Sequence, residues 1–168
     1  EAPALFNAIA AAALTKLHNF KPQEFANTTW AFATAIVEAP DLFNAIADAA
    51  LTKLDGYDSQ ALANTAWAFA TASVESPALF NAIAAAAVTK VDDFKPQEVA
   101  NTAWAFATVS VEAPVLFNAI TAAALTKLDS FKPQELANTV WAFATASVEA
   151  PSLFNGIAAA ALTKVDSF

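Results

Sequence analysis

Apolar positions recur along this chain in two alternating helical patterns separated by short polar breaks. In the first, Leu5, Phe6, Ile9, Ala12, Ala13 and Leu17 share one face at about 100° per residue, while position 4, Asn7, Ala8, position 11 and Thr15 form the opposite stripe. This predicts an amphipathic helix A from about Pro3 to Leu17. Pro3 suits the first turn, because the N–H it lacks would be unpaired there anyway. The breaks read His18-Asn19-Phe20, Asp55-Gly56-Tyr57, Asp92-Asp93-Phe94 and Asp129-Ser130-Phe131, turn-forming residues followed by an aromatic that can plug the gap between helices. Helix B opens at Pro22, Pro96 and Pro133, with Ser59 in the second copy, and extends to about Val37. Its apolar face holds Phe25, Ala26, position 29, Trp30, Phe32, Ala33 and Val37; its other face holds Glu24, Asn27, Thr28, Ala31, Thr34 and position 35.

The two patterns repeat with a strict period. Glu-Ala/Ser-Pro opens at Glu1, Glu38, Glu75, Glu112 and Glu149, 37 residues apart each time and with no insertion or deletion. The units are residues 1–37, 38–74, 75–111 and 112–148, with a partial fifth at 149–168. A two-helix unit cannot bury both apolar faces alone, so neighbours must stack. The expected fold is all-α: one α-solenoid of stacked antiparallel helix pairs, right-handed by analogy with other helical-repeat folds. A start at Glu1 without Met, and apolar end faces without a polar cap, predict a segment of a longer chain with further repeats or subunits at both ends.

Composition narrows the function. With 57% hydrophobic and 14% charged residues the chain can bury enough surface to fold. No uninterrupted apolar run is long enough for membrane insertion. The absence of Cys removes thiol nucleophiles and thiolate metal sites. His18 is the single histidine, and no glycine-rich phosphate loop or metal-ligand spacing is present, so the expectation is a protein that is not an enzyme, with no cofactor and no metal. Sixteen acids against eight lysines give a net charge of −8, the wrong sign for non-specific attraction to phosphate.

The helix B strings Phe131 to Thr145 (FKPQELANTVWAFAT), FKPQEFANTTWAFAT and YDSQALANTAWAFAT resemble the octotricopeptide and heptatricopeptide class of organellar helical repeats, over the whole chain. The resemblance implies an RNA-binding α-solenoid that stabilises, processes or helps translate chloroplast or mitochondrial transcripts. Single-stranded organellar RNA is then the expected partner, bound along a concave helix A surface. The alternative is a protein-binding or structural scaffold subunit of a larger assembly, which the acidity favours.

Four columns are candidates for binding. The helix A stripe varies on a constant scaffold, as partner-encoding surfaces of helical repeats do; its candidate ligand-facing residues are Asn7, Asp41, Asn44, Asp48, Asn81, Val115, Asn118, Ser152 and Asn155. Lys16, Lys53, Lys90, Lys127 and Lys164 either form a phosphate ladder or complement the helix A dipole. Asn27, Asn64, Asn101 and Asn138, with Thr28 and Ala31 beside them, either pack against a neighbouring helix or read bases. Trp30, Trp67, Trp104 and Trp141 either stack on bases or, as their apolar neighbours on helix B favour, pack in the core, where Trp104→Ala would cost about 3–5 kcal/mol.

Overall fold

Prolines open most of the helices, as the first-turn argument requires. The computed structural model describes residues 2–164, with side chains from residue 4 onward; Glu1, Asp166 and the rest of 165–168 lie outside the described residues. The A helices are α1 (Ala2–Leu14), α3 (Pro40–Leu51), α5 (Pro77–Val88), α7 (Pro114–Leu125) and α9 (Pro151–Leu162). The B helices are α2 (Pro22–Thr34), α4 (Ser59–Thr71), α6 (Pro96–Thr108) and α8 (Pro133–Thr145). Among the described residues there is no strand, and the helices pack on one another as an α-solenoid.

Both helix types end about three residues earlier than the periodicity suggests, for local reasons. Helix A stops at Leu14 because the Thr15 hydroxyl donates to the Ala12 carbonyl at 2.8 Å, competing with helix continuation, and Leu17–Asn19 then forms a 3-10 turn. Thr52, Thr89, Thr126 and Thr163 repeat the device at 2.7–2.8 Å. Helix B ends at Thr34 in a reversal whose Val37 N–H donates to the Phe32 carbonyl at 3.0 Å and whose Ile36 N–H donates to Ala33 at 3.1 Å. That reversal is a Schellman motif, and it places Ile36, Ser73, Ser110 and Ser147 in left-handed backbone with φ of 54–56°. At the other end of helix B, the Glu24, Glu98 and Glu135 carboxylates accept from the Lys21, Lys95 and Lys132 backbone N–H groups at 2.7–2.9 Å. In the second unit the Asp58 side chain takes this role, accepting from Ala61 N–H at 2.8 Å.

The core lies between the two layers. Leu42, Phe43 and Ile46 of α3, and their equivalents in α5 and α7, are buried against the Phe32, Phe69, Phe106 and Phe143 column of the B helices. Phe43 and Phe69 meet edge to face with ring centroids 5.0 Å apart, and the same pair recurs in every complete unit. Leu5 and Ile9, by contrast, are exposed in α1, where no other unit among the described residues covers them. The turn aromatics plug the gap as expected: Tyr57, Phe94 and Phe131 are buried.

Small residues set the spacing of the B layer. Ala26 and Ala33 are buried in α2 while their equivalents Ala137 and Ala144 are exposed in α8; conversely Thr28 and Ala31 are half-buried in α2, and Thr139 and Ala142 are buried in α8. These two flanks therefore form the joint between consecutive B helices, an Ala pair on one side against Thr and Ala on the other. The B backbones run in close contact along their length, whereas consecutive A helices touch at few positions. The layer with the shorter spacing lies on the inside of the curve. This reverses the expectation of a concave A surface: the concave face belongs to helix B.

Candidate ligand-binding face

Each B helix leaves one stripe uncovered. Gln23, Asn27, Trp30 and Thr34 fall at i, i+4, i+7 and i+11, one side of a 3.6-residue helix. Trp30 and Trp141 are 46% exposed, and Trp67 and Trp104 are half-buried. The expected core placement of the tryptophans is met only in part: Trp67 and Trp104 pack against the edge of the core, and Trp30 and Trp141 do not. The face toward helix A is filled by Phe32, roughly 160° around the wheel from Trp30 at 100° per residue. The alanine flanks are too closely apposed to admit an indole.

The indoles form a row along the inner layer. Trp67 and Trp104 have centroids 6.4 Å apart and planes inclined by 35°; Trp104 and Trp141 repeat this at 6.4 Å and 30°. Asn64, Asn101 and Asn138 are half-buried beside them and Asn27 is exposed, and among the described residues no hydrogen bond ties these amides to the protein. Of the two readings of this column, its Ala31 and Thr28 neighbours pack between helices, while the Asn side chains line the open surface. The stripe of each unit reads Gln-Asn-Trp-Thr and carries no formal charge.

The lysine column is engaged elsewhere. Lys53 Nζ donates to the His18 and Phe20 carbonyls at 2.9 and 2.7 Å, reaching the A-to-B turn of the preceding unit. Lys90 donates to the Asp55 and Tyr57 carbonyls, Lys127 to Asp92 and Phe94 at 3.0 and 2.9 Å, and Lys164 to Asp129 at 2.8 Å. Lys53 also lies 5.4 Å from the Phe25 ring centroid. Four ammonium groups thus staple consecutive units through backbone carbonyls rather than standing free as a phosphate ladder. The helix they cap is not their own, so the dipole reading is not the geometry either. Lys16 has no preceding turn to reach among the described residues and is exposed.

The helix A stripe lies on the wider-spaced outer layer. Asn7, Asp41, Asn44, Asp48, Asn81, Val115, Asn118, Ser152 and Asn155 are all exposed, Val115 to 67%. They share a surface but do not converge; Asn118 borders a cleft of about 580 Å³ and Val115 a separate one of about 310 Å³, both between the third and fourth units.

A family model described as RNA-editing substrate-binding complex 6 protein matches residues 2–121, three units and the start of the fourth. The chain belongs to that family. No match was found among curated proteins. Membership of the RNA-editing substrate-binding complex 6 family supports an RNA-editing helical-repeat protein and does not single out the octotricopeptide or heptatricopeptide type. No helix among the described residues is long and apolar enough to cross a membrane. In this family member, the indole row is a candidate binding feature whose stacking reading sequence reasoning set aside in favour of the core. It was detectable: on the wheel Trp30 stands about 60° from Asn27 and 40° from Thr34, so its polar neighbours placed it outside the core.

Proposed function

We propose that this chain is a non-enzymatic binding module of an RNA-editing assembly that holds single-stranded RNA along the Gln-Asn-Trp-Thr face of its B layer. The observation that carries this reading is the row of partly exposed indoles at 6.4 Å intervals, flanked by amides without protein partners. Every base has a π-face, and stacking on an aromatic side chain contributes about 1–3 kcal/mol per base. The interval is close to twice the roughly 3.4 Å rise of stacked nucleotides, so a stretched strand presents one base to each indole. The Asn and Gln amides supply paired donors and acceptors for base edges. The phosphates run on the side of Lys21, Lys95 and Lys132, exposed ammonium groups at the N-terminal ends of α2, α6 and α8. An RNA-editing role favours the mitochondrion over the chloroplast.

The test is fluorescence anisotropy of a labelled mixed-sequence 20-mer RNA against the whole chain, at low and near-physiological salt. Trp67→Ala and Trp104→Ala should each weaken binding by about 5- to 100-fold, the equivalent of one lost stack. Salt should act weakly, because few lysines are free to release counterions. Unchanged binding by both variants, or none by the parent at low salt, refutes the reading.

A further inference from the structure

The charge of the chain is divided between its two edges. All eight lysines stand where helix A turns into helix B: five in the turn and three at the start of helix B. The opposite edge, where helix B turns into the next helix A, carries Glu38, Glu75, Glu112, Glu149 and Asp41, all exposed and with no cation among them. A 13-residue helix separates the edges by roughly 20 Å, beyond the approximately 8 Å over which charges interact in physiological salt. The net charge of −8 is thus concentrated on one edge, while the other is close to neutral.

The acidic edge is also grooved. Between the first and second B-to-A turns lies a cleft of about 550 Å³, and between the third and fourth the equivalent cleft of about 580 Å³. Their walls correspond residue for residue except for Asn118, which lines only the second: Phe32 and Phe106 at the floor, Phe43 and Phe117 beside them, Pro40 and Pro114 at the lip, with one glutamate each, Glu38 and Glu112. An apolar floor with a single carboxylate at its lip fits an apolar side chain next to a cationic one. The same lip repels phosphate, which excludes the RNA backbone from this edge.

We infer that the B-to-A edge is a docking groove for an extended, basic-apolar segment of a partner protein, one cationic residue per repeat. Helices packed side by side advance about 8–10 Å, and a segment in the extended polyproline II conformation rises about 3.1 Å per residue with three residues per turn, so every third residue returns to the same side and meets the next glutamate. The groove is independent of the indole face: its ligand is a polypeptide, its contacts are carboxylates and phenyl rings, and both faces can be filled together.

The experiment titrates a labelled (Leu-Arg-Ser)₄ peptide into the whole chain, followed by anisotropy. Binding is expected, weakened at least tenfold when Glu38, Glu75, Glu112 and Glu149 are all changed to Gln. Removing four charges from the other edge, by Asp55→Asn, Asp92→Asn, Asp93→Asn and Asp129→Asn together, should change it less than threefold. A (Ser-Arg-Ser)₄ peptide should bind at least tenfold more weakly, because it has nothing for the clefts. Equal losses from the Glu and Asp variants, equal binding of the peptide without Leu, or no binding of (Leu-Arg-Ser)₄ at all would each overturn the inference. Competition by RNA would also overturn it. Failure of RNA binding with the peptide result intact would refute only the indole-face reading.

Discussion

Lys90 and Lys16 occupy the same repeat position, yet the structure gives them different work, and that contrast defines a test. Lys90 Nζ bridges the Asp55 and Tyr57 carbonyls of the preceding unit, while Lys16 has no such turn before it among the described residues. A hydrogen bond from a charged donor contributes about 1.5–3 kcal/mol when well shielded, and the half-exposed position of Lys90 reduces this through solvent screening. Lys90→Met keeps most of the apolar stem and removes the ammonium, so the loss should be about 1.5–2 kcal/mol. Lys16→Met should stay within about 0.5 kcal/mol of the parent. A helix-dipole role predicts the same loss of about 0.3–1 kcal/mol at both positions. Urea denaturation followed by tryptophan fluorescence and by far-UV circular dichroism reads the difference. Because a repeat array fails at its weakest joint, the Lys90 variant should also lose coincidence between the two probes as units one and two separate from the rest. Equal midpoint shifts for the two variants would refute the staple.

Four further outcomes follow from the same coordinates. Trp104→Ala should cost about 2 kcal/mol rather than the 3–5 expected of a core residue, since it removes two indole contacts from a half-buried site; the urea midpoint measures it. Ile36 is 90% exposed at φ 54°, a conformation disfavoured for a β-branched residue, so Ile36→Gly should stabilise by about 0.5–1 kcal/mol in the same assay. The Tyr57 hydroxyl is buried without a partner, and burial pushes its ionisation far above the usual tyrosine range. Tyr57→Phe should therefore be neutral to stabilising by about 1 kcal/mol at pH 7. The folded state resists the phenolate, so the parent loses stability as pH rises above about 10 and the variant should lose less, which denaturation midpoints at pH 8 and 11 would show. Gly156→Ala should raise the melting temperature, because α9 gains about 0.5–1 kcal/mol of helix propensity. A Cβ there meets the flexible end of Leu128 at 2.6 Å, and Ala45 and Ala82 already sit at the equivalent positions of earlier units.

The period, the proline starts, the turn aromatics and the two-layer core were legible because each depends on contacts within 37 residues and on a hydrophobic pattern that states its own phase. Helix ends were misjudged by about one turn, since a hydroxyl competing for one carbonyl leaves no trace in the apolar periodicity. The lysine staples span 33 or 35 residues, and a periodic chain cannot distinguish a contact within a unit from one to the same place in the next. Trp30 was misplaced because hydrophobicity outweighed angle: its neighbours on the wheel are Asn27 and Thr34, and a size-independent phase reading puts it with them. The concave side could not be read from either helix separately. It follows from how closely alanines on two different helices let their backbones approach.

With the packing in place, the columns that are identical in every unit divide into two kinds. Ala31, Thr28, Phe32 and the lysines are fixed by joints between helices: a larger side chain at Ala31 would open the B layer, and a shorter one than Lys would leave turn carbonyls unbridged. Gln23, Asn27, Trp30 and Glu38, with their equivalents, are equally invariant, yet they face outward, and no inter-unit hydrogen bond involves them among the described residues. Trp67 and Trp104 pack in part against the core and one another, yet Trp30 and Trp141 leave nearly half of their surface exposed, and nothing in the packing requires a carboxylate on an edge already carrying only carboxylates. These positions lie in two separate rows, one aromatic and uncharged, one acidic and grooved. The array therefore presents two chemically distinct surfaces at the same helical pitch, one suited to bases and one to a basic segment of chain.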